Sequence, residues 1–74
     1  MRGIVRTYDL IPDGVKIVVA WENMGVGTSI FVPCINTTRA VKEVKQITAE
    51  KGWGIETRVC EENGMQGVRI WRNV

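Results

Sequence analysis

With 74 residues and nearly half of them apolar, the chain suffices for one domain with one small core, residues 1–74, and is too apolar for disorder. Ten basic and eight acidic residues leave a net charge of +2, which excludes a binding mode resting on bulk charge, so any contact with phosphate has to come from local clustering. Two cysteines without a single histidine exclude a disulfide scaffold and a tetrahedral zinc site, and no cofactor is expected.

A chain of this size buries only about 60–65% of its unfolded surface, so association would be a natural supplement to its stability. No apolar run approaches the length of a membrane span, and MRGIVRTYDL lacks the apolar core of a signal peptide. The expectation is a reducing cytoplasm with Cys34 and Cys60 as free thiols, a bridge between them being the alternative.

In chain order, Ile4 to Leu10 alternates weakly and reads as an edge strand. Ile11-Pro12-Asp13-Gly14 is a turn, since proline presets φ and glycine allows it to be positive. Val15 to Trp21 (VKIVVAW) is β-branched and nearly continuous, which suits a central strand or one at an interface. The first 21 residues therefore suggest a hairpin. Glu22 to Thr28 is a loop. Its Gly25-x-Gly27 lacks the third glycine and the helix start of a phosphate-cradling loop, so it reads as two tight backbone positions. Ser29 to Val32 is a short strand stopped by Pro33.

Thr37 to Lys51 is the one convincing helix. Ala40, Val41, Val44 and Ile47 project into a stripe roughly 120° wide, with Thr48 inside it and the stem of Lys51 along it. Asn36, Thr37 and Thr38 are candidate N-caps without a capping box, and Gly52 closes the helix. A helix this short is marginal alone, so the stripe must lie on a sheet.

Gly54 to Glu62 and Met65 to about Arg72 alternate as two strands around Asn63-Gly64, a type I′ hairpin signal. That turn opposes Glu62 to Met65, which pairs Val59 with Val68 and Thr57 with Ile70 on an inner face. The outer face then carries Cys60 opposite Gly67, Arg58 opposite Arg69 and Glu56 opposite Trp71. Two opposed arginines repel unless an anion bridges them. Glu56 or Glu61 could supply it from within the chain, or the pair is a fork for phosphate or a partner carboxylate. Trp71 beside them either stacks a base or packs ordinarily. Trp21 reads as core and Trp53 as a contact onto the helix end. Arg39, Lys42 and Lys45 on the outer side of the helix are diluted by Glu43 and Glu50 and suit a solvated face.

The pattern Val26-Gly27-Thr28-Ser29-Ile30-Phe31-Val32-Pro33, followed by a helix and then Gly67-Val68-Arg69-Ile70-Trp71-Arg72, resembles small uncharacterised proteins of tailed bacteriophages with a VGxSxFVP … GVRxWR pattern. The resemblance spans about residues 24 to 72 and leaves out the N-terminal arm. It implies an accessory factor in the cytoplasm of an infected bacterium, and it brings no activity or catalytic residue with it.

The expected architecture is α+β: an antiparallel sheet of four to five strands with one helix on one face, in the order β-β-β-α-β-β. Catalysis is not expected. Neither thiol nor Ser29 has a histidine base, and Glu61 and Glu62 point to opposite sides. The leading functional expectation is nucleic-acid binding, DNA or RNA, through Arg58, Arg69, Trp71 and Arg72, supported by Lys16 or the helix bases. The rival is a protein-binding factor, an inhibitor of a host protein, or a homodimer using the apolar strand 15–21 by strand addition. Arginines on one solvated face without carboxylate partners would favour nucleic acid, whereas arginines bridged by carboxylates would favour protein association.

Overall fold

The computed structural model describes residues 9–74, and the expected strand from Ile4 lies, but for its last two residues, outside them. The described chain is α+β, with one helix and one antiparallel sheet of three strands rather than four or five. Strand β1 is Ser29–Pro33, helix α1 is Thr37–Lys51, strand β2 is Ile55–Glu62 and strand β3 is Met65–Arg72. The sheet order is β1-β3-β2. Because both outer strands run antiparallel to β3, they are parallel to each other, and α1 is the crossover between them.

The missing strand is Val15 to Trp21. Only Ile17 pairs, in an isolated bridge to Leu10 with N–H···O distances of 2.9 and 2.7 Å, and Trp21–Asn23 closes into a 3-10 turn. Val15 and Val18 face solvent, while Ile17, Val19 and Trp21 pack inward. β-branching favours any half-buried extended segment, and a ladder needs a partner as well. Among the described residues, the segment finds one only at Leu10. The expected strand over 15–21 is therefore corrected to irregular chain that covers the core with one side. The turn before it is present, with Gly14 at φ 84° and its N–H on the Ile11 carbonyl at 3.3 Å.

Helix α1 has the expected bounds. The Asn36 side chain accepts from the Arg39 N–H at 3.1 Å, and Gly52 adopts φ 74° at the C-terminus. Ala40, Val44, Ile47 and Thr48 are buried along one stripe. They meet Val32, Val68 and Ile70 from the sheet, and Leu10, Trp21, Met24 and Cys34 complete the core. Thr48 satisfies its hydroxyl on the Val44 carbonyl at 2.9 Å. Two carboxylates pin the N-terminal segment. Asp13 accepts from the Ile35 and Asn36 N–H groups, both at 2.8 Å, and Glu43 accepts from the Ile11 N–H at 2.9 Å. Both thiols are free. No helix among the described residues is long and apolar enough to cross a membrane.

Candidate functional site

The Asn63-Gly64 turn sets everything that follows on the sheet. Both residues have positive φ, 53° and 78°, as a type I′ turn requires. The register is the expected one: Glu62 opposes Met65, Val59 opposes Val68, Arg58 opposes Arg69 and Glu56 opposes Trp71. Residues directly opposite share a face. The helix side therefore carries Ile30, Ile70 and Thr57 in one row, and Val32, Val68 and Val59 in the next. Val59, at 53% exposure, extends past the cover that α1 gives the sheet.

The other face holds Ser29, Trp71 and Glu56 in one row, then Phe31, Arg69 and Arg58, then Pro33, Gly67 and Cys60. The core residues of the strands all lie on the helix side, and on this second face Glu56, Arg58 and Pro33 are exposed. An open depression of about 490 Å³ is lined by Glu56, Arg58 and Trp71 of this face together with Thr57 and Arg72 of the other. Gly67 is required at its position. A Cβ there would lie 2.3 Å from the Val32 carbonyl oxygen and 2.7 Å from the tip of the Phe31 ring.

The four residues expected to bind nucleic acid fare differently. Arg58 and Trp71 stand on the open face, Trp71 half-buried. Arg69 is on that face but engaged. Its guanidinium makes a two-pronged pair with Glu62, with Nε to Oε2 at 2.9 Å and Nη2 to Oε1, and donates from Nη1 to the Ser29 hydroxyl at 3.1 Å. It also lies 5.7 Å from the Phe31 ring centre. The hydrogen bond from Arg69 holds the Glu62 carboxyl below its usual range, and Glu62 in turn raises Arg69. The bridging carboxylate is thus Glu62, not Glu56 or Glu61. Glu62 shares the parity of Arg58, and Gly67 leaves the space between Arg69 and Glu62 free of a side chain, so the pattern contained the signal.

Arg72 is a correction. One residue beyond Trp71, strand alternation sends it to the helix side, opposite Ile55. There its guanidinium stacks on Trp53 at 3.8 Å and donates to the Met24 carbonyl at 2.8 Å and the Val74 carbonyl at 2.9 Å. Trp53 also meets Trp21 edge-on at 6.2 Å. Arg72 is a structural clamp rather than a group on the open face.

The least expected feature is an edge. On β3, Gln66 and Arg72 give their backbone groups to β1 and the turn before it: Cys34 N–H bonds the Gln66 carbonyl, Gly27 N–H bonds the Arg72 carbonyl, and Arg72 N–H bonds the Thr28 carbonyl. Backbone groups alternate sides along a strand, so the odd-numbered residues of β3 serve β2, through the even-numbered residues of β2. Gly54 continues that rule, accepting from Asn73 at 2.8 Å. The N–H and C=O groups of Ile55, Thr57, Val59 and Glu61 consequently point away from the sheet. They meet no backbone partner among the described residues. The free edge of β1 is blunted by contrast, because Pro33 occupies an outward position without a donor. β2 is eight residues long, without proline, glycine or bulge.

Neither Glu56 nor Arg58, flanking Thr57 on that edge strand, has an ionic partner among the described residues. The chain was compared with protein-family models, with curated proteins and with solved structures, and it matches none of them.

Proposed function

We propose that this protein is a non-catalytic association module that accepts an extended strand of a protein partner along the free edge of β2. The observation that carries this reading is the row of outward backbone groups at Ile55, Thr57, Val59 and Glu61 on an edge strand without proline or bulge. Strand addition uses such groups for affinity and the alternating side chains for specificity. The Glu62 bridge to Arg69 and the internal role of Arg72 support it, since they remove two of the three arginines from the cations offered to a polyanion.

The test is a fluorescence titration with a labelled peptide spanning residues 54–62, its cysteine replaced by serine. Binding to the wild type and its loss in Thr57→Pro is the expected result. Proline at 57 removes one outward donor without touching the β3 ladder, so the variant keeps the wild-type circular dichroism. Equal binding to both proteins, or none to either, overturns the reading.

A second reading, nucleic-acid binding, is favoured by one feature: Phe31 and Trp71 sit diagonally on the open face, with Arg58, which has no ionic partner among the described residues, beside Trp71. Single strands stack on such aromatics. With one arginine left for phosphate, the salt slope would be about −0.7, a roughly 2- to 3-fold loss of affinity between 50 and 200 mM salt. Titration with single-stranded RNA and DNA decides it. The absence of binding tighter than ~100 μM at 50 mM salt, the usual non-specific range, ends this reading.

A further inference from the structure

We propose that the strand received by β2 is the β2 of a second copy, in an antiparallel pair whose two-fold axis passes through Thr57. The inference rests on the strand-edge reading above and adds the partner and the register.

A two-fold axis normal to the sheet must bring one residue of β2 opposite itself, and the side chains decide which. With Arg58 on the axis, two guanidinium groups would face each other. With Val59 on the axis, Glu56 would oppose Glu62 of the second copy, two carboxylates. With Thr57 on the axis, the five central residues of β2, Ile55 to Val59, all meet complementary partners. On the open face, Arg58 opposes Glu56 of the second copy and Glu56 opposes its Arg58, so the two charges without an ionic partner among the described residues satisfy each other twice. On the helix side, Ile55 opposes Val59 of the second copy and covers a valine that stands 53% exposed in the single chain. Thr57 opposes itself, a favourable hydroxyl pair.

The backbone fits the same register. Thr57 with Thr57, Ile55 with Val59 and Val59 with Ile55 are all pairs of outward-pointing residues, so each exchanges two hydrogen bonds. The axis keeps both helices on one side and both open faces on the other. It joins the two three-stranded sheets into one continuous sheet with the β2 strands at its centre. The edge of β1, which ends in Pro33, offers no equivalent. Cys60 falls opposite Gly54 of the second copy, so the contact needs no disulfide.

Sedimentation velocity under reducing conditions, over roughly 1 μM to 1 mM, the span suited to a short strand-edge contact, measures the association. The wild type shows a reversible monomer–dimer equilibrium. Glu56→Arg and Arg58→Glu each place like charges across the axis twice and weaken the dimer by at least roughly fivefold. The double variant Glu56→Arg/Arg58→Glu restores the pairs with reversed polarity and returns to within about threefold of the wild type by the same pairing. Both positions are exposed, and an unchanged thermal melt verifies that each variant folds.

A wild type monomeric throughout overturns the second-copy assignment. So does a double variant no better than its singles. If the 54–62 peptide still binds while the intact chain stays monomeric, the strand-edge reading stands and only this inference fails. If the chain dimerises but Thr57→Pro leaves the dimer intact, both fail. A monomer that binds single-stranded RNA through Arg58 overturns the proposal in favour of the second reading.

Discussion

Gly67, Asp13 and Glu62 show how single positions fix this molecule. The Phe31 ring and the Val32 carbonyl occupy the space a side chain at 67 would need. Because the closest contact is backbone, Gly67→Ala must push β1 away from β3. A loss of about 1–3 kcal/mol in chemical denaturation is expected, the usual cost of overpacking. Asp13 and Glu62 govern the response to acid. The Ile35 and Asn36 N–H groups hold the Asp13 carboxyl below its ordinary 3.8, and the Arg69 pair holds Glu62 below its ordinary 4.5. A carboxyl depressed in the folded state contributes stability that is present above its unfolded value and lost as pH falls through the folded one. The melting temperature should therefore be flat above about pH 5 and fall below about pH 4, where these groups take up protons. Asp13→Asn/Glu62→Gln should melt lower at neutral pH, with a shallower acid fall. An unchanged acid fall in that variant would assign it to other groups. The role of Asp13 was not legible in the sequence, because it acts across 22 and 23 positions through contacts that only the folded chain creates, whereas the parity Glu62 shares with Arg58 already set it on the face of Arg69.

At the scale of elements, the parts with strong local chemistry were readable and the part without it was not. The helix carries its own cap, stripe and stop in Asn36, Ala40 to Thr48 and Gly52. The hairpin carries its turn in Asn63 and Gly64, and from that turn the whole β2–β3 register follows. Strict alternation along β3 should likewise have placed Arg72 on the side opposite Trp71. The run Val15 to Trp21 has high β-propensity and no alternation, and propensity without a partner gives half-buried irregular chain. Two substitutions test the readable elements. Val44 is fully buried at the centre of the stripe, and Val44→Asp places an unpaired carboxylate there. Loss of the cooperative thermal transition is expected, because a cost of several kcal/mol rivals the stability of a small domain. Gly64→Val forces a β-branched residue toward φ 78° and should destabilise the hairpin measurably without altering the helix. A cooperative Val44→Asp protein would mean that α1 docks by another face.

For the whole molecule, one asymmetry matters most. Among the described residues, three strands leave two edges, and only that of β1 is closed by a proline. The edge of β2 is left with charges and apolar groups that complement their own copies across a dyad. Register follows from turn chemistry, and turn chemistry is local, so the alternation of inward and outward amides on β2 could be traced once β1 was placed beside β3. The strand order could not be read from the chain, which is why the edge emerged only from the fold. The measurement that bears most directly on this account is residue-resolved amide hydrogen exchange at low and high protein concentration. The amides of Glu56, Arg58 and Cys60 should be protected at both. Those of Ile55, Thr57, Val59 and Glu61 should exchange freely in dilute protein, and those of Ile55, Thr57 and Val59 should slow as concentration rises. Outward amides already protected at high dilution, or exchange without alternation along β2, would contradict the open edge on which the account rests.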